Sequence, residues 1–423
     1  MTEHPRPRRL PGGVELADSL TAMLDPRLAE ADAALAAGFP GDSPDRQPVH
    51  TVYVSADLFS EDLAGRWGRA ALASVDQHPG LFAEVAGTDQ QLISLVRQKL
   101  ASEPIEDVRI DFEDGYGARG DDVEDADVLA AAAALARATR AGTAPPFRGI
   151  RFKSLEAATR RRGVRTLTMF LSRLLEEDGT LEGFAVTLPK ITSVEQVEAM
   201  VDLTGRLEDA LGLVARSLRF ELQIETPQSI LGPDGTALVA RMIHAGDRRV
   251  TALHYGTYDY SAFCGIPAPQ QSMEHPVADH AKLVMQAAAA GTGVRLSDGS
   301  TNVLPLGDDR SVRHGWELHA RLVGRSLERG YYQGWDLHPA QLPTRFAATY
   351  AFFREGFPQA AERLRSYLEQ TGSNVLDEPA TARALSDFVL RGVDCGAISA
   401  AEVESSTGLD TETVAALARP QRM

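Results

Sequence analysis

The chain has 423 residues, 43% of them hydrophobic and 24% charged, a composition typical of a folded soluble protein and not of a disordered or fibrous one. Its formal net charge of −16 argues against nucleic acid and anionic membranes as partners, because both attract basic proteins. The two cysteines, Cys264 and Cys395, have no paired or metal-like spacing, and no apolar run approaches the roughly 18 residues of a membrane span. We therefore expect no disulfide, no zinc site, no targeting segment and a cytoplasmic location.

The first 48 residues predict a helical arm, with one helix over about residues 20–37 that ends at Gly38. Strand-like and helix-like runs then alternate. The predicted strands cover residues 50–55, 108–112, 149–153, 183–188, 218–225, 250–255, 293–296 and 331–335. Eight alternating units favour a (β/α)8 TIM-type barrel over residues 49–341 rather than a doubly wound sheet.

Only helical patterns follow the last predicted strand. We expect helices at residues 343–353, 359–370 and 380–391 and a last one near residues 400–417. Residues 342–423 are thus predicted to form a small helical C-terminal lid.

Polar residues converge at the predicted strand ends. In the segment around the second strand, Arg109, Asp111 and Glu113 share one face at the period of two that a strand requires, and Gly115 then begins a turn. Six strand ends carry ionisable groups of both signs. Catalytic groups of TIM-type barrels lie at the C-terminal ends of the strands, so these residues predict a site there.

Two carboxylates on neighbouring strand ends, Glu225 and Asp259, are plausible partners for one metal ion. With no cysteine or histidine pair nearby they are hard oxygen donors, which suit Mg²⁺, or Mn²⁺, better than zinc. Arg151 at the third strand end could add a positive donor to a developing oxyanion. The combination points to enolate chemistry, which a divalent cation stabilises.

These residues resemble the HpcH/HpaI aldolase and citrate lyase superfamily, which includes citrate lyase beta subunits, malyl-CoA and citramalyl-CoA lyases and metal-dependent hydroxy-oxo-acid aldolases. The resemblance covers about residues 49–392. It is carried by six motifs in the family's order, namely Ile110-Asp-Phe-Glu-Asp114, Arg151, Leu188-Pro-Lys190, Ile224-Glu-Thr226, Gly256-Thr-Tyr-Asp259 and Leu337-His-Pro-Ala-Gln341.

The resemblance implies roles for particular residues. Glu225 and Asp259 would hold magnesium, and Arg151 would contact the substrate oxygens. The remaining candidates for substrate binding are Lys190, Glu113 and Asp114, the last two either through metal-bound waters or by pairing with Arg151 and Lys190.

A further match, Val375-Leu-Asp-Glu-Pro379, is similar to the lyase segment whose aspartate acts as acid/base in a neighbouring subunit's site. Asp377 takes this catalytic role by resemblance. The alternative is that it caps the helix expected from Ala380.

Two segments depart from the family pattern. The Pro-Gly turn after the first strand is replaced by Ser55-Ala-Asp-Leu-Phe-Ser60 and an enlarged insertion, and the third-strand Arg-Val-Asn by Arg151-Phe-Lys153. Both changes bear on the substrate pocket and on coenzyme A binding.

The resemblance implies a magnesium-dependent carbon–carbon lyase or aldolase that cleaves or forms a short hydroxy-dicarboxyl-CoA thioester. A CoA-free 4-hydroxy-2-oxo-acid aldolase and a non-catalytic barrel that binds a metal and an acid stay open. The expected partners are a small 2-oxo acid or acyl-CoA and further copies of the chain in a homo-oligomer.

Overall fold

The computed structural model describes residues 13–87, 89–177, 179–369 and 379–419. Eight parallel strands form one sheet in the order β7-β6-β5-β4-β3-β2-β1-β8. Its two ends meet through a single parallel bridge between Ser297 and Gln333, so that the barrel is nearly closed. The strands are β1 His50–Ser55, β2 Asp107–Asp111, β3 Phe147–Arg151, β4 Phe184–Leu188, β5 Arg219–Ile224, β6 Val250–Tyr255, β7 Arg295–Ser297 and β8 Gly334–Asp336.

Helices connect the strands and complete the predicted TIM-type barrel, which is thereby confirmed. The helices that precede β6 are α1 Gly13–Gly38, α2 Leu63–Gln77, α3 Pro79–Ala86, α4 Gln90–Ser102, α5 Asp121–Arg140, α6 Arg160–Glu176, α7 Val194–Leu211, α8 Pro227–Ile230 and α9 Leu238–Ala245. Those that follow it are α10 Thr257–Phe263, α11 Pro276–Ala289, α12 Asp309–Glu328, α13 Leu342–Glu369, α14 Pro379–Asp394, α15 Ala400–Thr407 and α16 Thr411–Ala418.

The C-terminal region differs from the prediction in two places. Helix α13 runs through Pro358, where two separate helices were expected. Phe353 on one side of the proline and Leu364 on the other are buried in the same core, so burial outweighs the backbone hydrogen bond that proline removes. The predicted last helix is instead two, α15 and α16, because Gly408 adopts φ of 76° and ends α15.

The helical tail shares a hydrophobic core with the first barrel unit. Buried residues of β1, α2 and α4 contact those of α13, α14 and α16 in one cluster, which includes Val52, Phe346, Val389 and Val414. A second cluster lies between β2–β6 and helices α5–α9. The boundaries at residues 48 and 341 remain predictions.

Helix α1 begins earlier than predicted and has no buried residue. No helix in the described ranges is long and apolar enough to cross a membrane.

An ion cluster lies inside the barrel, toward the N-terminal ends of the strands. Arg109 of β2 donates from Nε and Nη2 to the carboxylate oxygens of Glu221 on β5, over 2.9 and 2.7 Å, and also pairs with Asp107. All three residues are at most 3% exposed. One guanidinium thus pairs with two carboxylates, and His254 Nε2 contacts Glu221 as well, at 3.1 Å.

Candidate active site

The turn after β2 is built around Asp111. Its carboxylate accepts the backbone N–H groups of Glu113, at 3.0 Å, and Gly115, at 2.8 Å. A Cβ on Gly115 would lie 2.6 Å from Asp111 Oδ2, so this close approach requires glycine. The turn therefore fixes Asp111 at the C-terminal end of the barrel.

Arg151, the last residue of β3, forms a bidentate ion pair with Asp111. Its Nε and Nη2 lie 2.7 and 2.6 Å from the two carboxylate oxygens, and the side chain is 6% exposed. Burial alone would lower the pKa of Arg151, but Asp111 and Glu113 outweigh it and hold the pKa well above its ordinary value. Nη1, which the ion pair does not use, lies 3.6 Å from Glu113 and 3.4 Å from Gln223.

Lys190, just after β4, lies close to three carboxylates. Its Nζ lies 2.5 Å from Glu113 Oε1, 2.6 Å from Asp114 Oδ1 and 3.8 Å from Asp259 Oδ2. Burial would lower the pKa of Lys190, but the bonds to Asp114 and Glu113 raise it above the ordinary lysine value. The ammonium is therefore a fixed positive charge at this site, and it pairs with both Glu113 and Asp114.

Glu225 is a buried carboxyl group directly after β5, with 1% of its surface exposed. Its Oε1 accepts the backbone N–H of Lys190 at 2.7 Å, and its Oε2 accepts Gln223 Nε2 at 2.8 Å. Burial raises the pKa of Glu225 well above the ordinary value, and Asp259 and Glu113 raise it further against the opposing effect of Arg151. Lys190 also opposes this rise in the pKa, so burial of the carboxyl group is its main cause.

Asp259 lies in the first turn of α10, which follows β6 after Gly256. Its side chain is 40% exposed, in contrast to that of Glu225. Gly256 allows the approach of the two elements, because a Cβ there would lie 2.5 Å from the Cβ of Glu225. The two predicted metal ligands therefore present one buried and one solvent-facing carboxylate, and Lys190 contacts both.

The residues present fit a divalent cation with few protein ligands. Within the described residues, no group of three or more His, Cys, Asp or Glu side chains is arranged as a metal site. Two carboxylates with water in the remaining positions are nonetheless a common way to hold Mg²⁺. The excess of carboxylates over cations around Lys190 is the observation that favours such an ion here.

One predicted catalytic residue, Asp377, lies outside the described residues. The other predicted residues, Glu113, Asp114, Arg151, Lys190, Glu225 and Asp259, lie together at the C-terminal ends of β2–β6.

Two neighbours of this site were not among the predicted site residues. Gln223 joins Arg151 to Glu225, and its place two residues before Glu225 on β5 puts it on the same face. The ring of Tyr53 on β1 lies 4.7 Å below the Arg151 guanidinium, and its hydroxyl is buried without a hydrogen-bond partner among the described residues. No sequence signal distinguishes this tyrosine from a packing residue.

Comparison with known proteins places the chain in a family. A family model described as a domain of unknown function, DUF6986, matches residues 28–422. The chain belongs to the DUF6986 family. A search of curated proteins finds no match to it.

Two solved structures have the same fold as this DUF6986 chain. A citrate lyase from Burkholderia xenovorans LB400 is 22% identical and covers 88% of this chain and 97% of its own, with a TM-score of 0.56. CitE from Mycobacterium tuberculosis, in complex with magnesium, acetoacetate and coenzyme A, is 17% identical and covers 84% and 100%, with a TM-score of 0.50. At these identities the likeness shows a shared fold and nothing more.

Proposed function

We propose that this DUF6986 chain is a magnesium-dependent carbon–carbon lyase, acting through an enolate on a short hydroxy-dicarboxyl-CoA thioester. Mn²⁺ would serve in place of Mg²⁺ with the same ligands, Glu225 and Asp259. One observation carries the proposal: five carboxylates meet only two cations at the C-terminal end of the barrel. The carboxylates are Asp111, Glu113, Asp114, Glu225 and Asp259, and the cations are Arg151 and Lys190.

Arg151 and Lys190 supply the positive charge that an anionic substrate needs. The planar Arg151 guanidinium is held in one orientation by Asp111, and its remaining Nη1 is the donor available to a substrate oxygen. Lys190 would exchange part of its contact with Asp114, which is more exposed than Glu113, for a substrate carboxylate. When bound, the divalent cation supplies positive charge for an enolate oxygen.

In the cleavage direction a base removes the proton of the substrate's β-hydroxyl group. The carbon–carbon bond then breaks to give an aldehyde or 2-oxo acid and an enolate, which is protonated to the second product. We propose Asp377 for this proton transfer, on its family resemblance. Gln223 would hold the Glu225 carboxylate in place while the charge moves.

A CoA-free 2-oxo-acid aldolase is the second candidate, and the connection after β1 favours it. There a short 3-10 helix, Ala56–Leu58, replaces the family's Pro-Gly turn, and Asp57 pairs with Arg119 over 2.8 Å. This ion pair lies where the chain departs from its CoA-binding relatives.

Binding of the metal tests the first part of the proposal. Calorimetric titration with MgCl₂ should give one saturable site in the unaltered chain, and Glu225→Gln and Asp259→Asn should each weaken it at least tenfold. Asp202→Asn, an exposed residue of α7, is the matched control and should leave the affinity unchanged. Unchanged binding in both ligand variants would remove Glu225 and Asp259 from the assignment.

Substrate choice is tested on the magnesium-loaded chain with acetyl-CoA, propionyl-CoA, pyruvate and glyoxylate. Binding of a CoA ester that Arg151→Ala abolishes supports the CoA lyase, and binding of the oxo acids alone supports the CoA-free aldolase. Exchange of substrate methyl protons with deuterium then separates an enzyme from a non-catalytic barrel, because only turnover through an enolate exchanges them.

A further inference from the structure

A second polar cavity lies at the end of the barrel opposite the candidate active site. It has a volume of about 630 Å³, within the range of small-molecule sites. Three arginines line it at the beginnings of alternate strands: Arg148 of β3, Arg219 of β5 and Arg295 of β7. The Arg109–Glu221 ion pair also lines it, on the side of the barrel interior.

Arg148 differs from every other buried arginine of the described residues. Arg109, Arg151, Arg249 and Arg345 each pair with a carboxylate. Arg148 is 7% exposed, yet its Nη1 contacts only the carbonyl oxygens of Pro145 and Pro146, and its Nε has no hydrogen-bond partner within the described ranges.

The other two arginines are also satisfied by carbonyl groups rather than by carboxylates. Arg219 Nη1 donates to the carbonyl oxygen of Arg248 at 2.9 Å, and Arg295 Nη2 contacts that of Asp45. Carbonyl oxygens satisfy N–H groups but do not neutralise charge. Each guanidinium therefore keeps its full positive charge in the cavity or at its rim.

Burial affects the pKa of two of these arginines. Desolvation lowers the pKa of Arg148 and of Arg295 below the ordinary arginine value, against the raising effect of Glu182 and Asp45 respectively. Glu182 and Asp45 line the cavity too, but both are exposed to solvent. The two buried carboxylates of the lining, Asp107 and Glu221, both pair with Arg109. Arg148, Arg219 and Arg295 therefore have only the two water-screened carboxylates opposite them and no buried carboxylate partner.

We infer that this cavity binds a phosphate-type dianion, free or as the phosphate group of a small metabolite. A phosphate carries its charge on oxygens that point in several directions, so that guanidinium groups from three strands can bind it together. A carboxylate has only two oxygens on one side. The inference is independent of the chemistry proposed for the other end of the barrel.

Calorimetric titration of the full chain with sodium phosphate, at ionic strength held constant with chloride, tests this site. One saturable site is expected, and Arg148→Gln, Arg219→Gln and Arg295→Gln should each weaken it at least tenfold. Arg219 is exposed at the start of its strand, so its variant retains the fold even if Arg148→Gln does not. Arg206→Gln, on the exposed side of α7, is the matched control.

Three results would overturn the inference. The first is the absence of saturable heat with phosphate, and the second is unchanged affinity in both Arg219→Gln and Arg295→Gln. The third is loss of phosphate binding in Lys190→Met, which would place the anion at the other end of the barrel. A parallel titration with succinate separates the ligand classes, since tighter binding of succinate than of phosphate would show a dicarboxylate site instead.

Discussion

The backbone N–H of Lys190 donates to Glu225 Oε1 over 2.7 Å, while the ammonium of the same lysine reaches Glu113 and Asp114. Lys190 adopts φ of 51°, a left-handed conformation that costs a non-glycine residue on the order of 1 kcal/mol. One residue thus positions the buried carboxylate through its backbone and supplies positive charge through its side chain. Substitution can separate the two roles.

Lys190→Gly and Lys190→Met should both tighten magnesium binding. Either change removes a cation that lies 3.8 Å from Asp259, and a unit charge at about 4 Å contributes about 1 kcal/mol or more, or roughly fivefold in the dissociation constant. Glycine also accommodates the left-handed backbone and so keeps the bond to Glu225. Calorimetry with MgCl₂ measures the effect, with Arg161→Gln as the control at an exposed cation of α6. Weaker binding in both variants would show that the ammonium organises the ligands instead of competing with the metal.

Gly256→Ala should weaken magnesium binding about tenfold while the barrel remains folded. The new Cβ would lie 2.5 Å from Glu225 Cβ and 2.9 Å from its Oε2, so the carboxylate must move away from Asp259. The control is Gly324→Ala in α12, where no atom lies within 4 Å and the change should stabilise the helix by about 0.5–1 kcal/mol. Magnesium affinity and the thermal midpoint are measured for both. Normal affinity in Gly256→Ala would mean that Glu225 does not coordinate the ion.

Glu225→Gln should stabilise the metal-free chain at pH 8 and lose this advantage as the pH falls toward 4. A carboxyl group whose pKa is raised on folding binds its proton more tightly in the folded state, so it lowers stability above its unfolded pKa of about 4.3. The loss is about 1.4 kcal/mol for every tenfold gain in proton affinity on folding. Glutamine does not ionise and avoids this loss. Urea unfolding at several pH values measures the difference.

In excess magnesium the unaltered chain should become more stable than Glu225→Gln, which is the reverse of their order without the metal. The unaltered chain gains stability from the bound ion, whereas Glu225→Gln binds it weakly and gains little. A variant that gains as much from magnesium as the unaltered chain would contradict the assignment of Glu225 as a ligand.

Asp111→Asn should lower the free energy of unfolding by about 3–5 kcal/mol, because it leaves the Arg151 guanidinium buried without its carboxylate partner. The comparison is Asp57→Asn, which breaks the more exposed pair with Arg119 and should cost at most about 1 kcal/mol. Denaturant midpoints measure both changes. Equal losses would show that water reaches the Arg151 pair in the folded chain.

The barrel could be predicted from the sequence because polar residues mark where the apolar strand segments begin and end. Strands β1 and β6 have the predicted bounds. Helix α7 ends at Gly212 with φ of 67°, as expected of a helix-terminating glycine. Pro358 misled the prediction, because the core on both sides of it could not be seen in a local pattern.

The site residues could be named from the sequence, but their partners could not. Asp111 and Arg151 are register neighbours on β2 and β3, and register is a property of the assembled sheet. Lys190 and Glu113 are 77 positions apart, and their contact also depends on the left-handed turn at Lys190. The paired state of Arg151, which decides which of its N–H groups can meet a substrate, emerges only in three dimensions.

The single bridge between Ser297 and Gln333 gives the barrel a seam. Every other pair of neighbouring strands is joined by a ladder. Here the two sides are joined by one bridge and by two backbone hydrogen bonds, from Asp298 N to the Gln333 carbonyl oxygen at 2.8 Å and from Trp335 N to the Gly299 carbonyl oxygen at 3.1 Å. We therefore expect the ring to open more readily here than between any other two neighbouring strands. Asp259, after β6, is one strand away from this junction, whereas Arg151, at the end of β3, is on the opposite side of the ring.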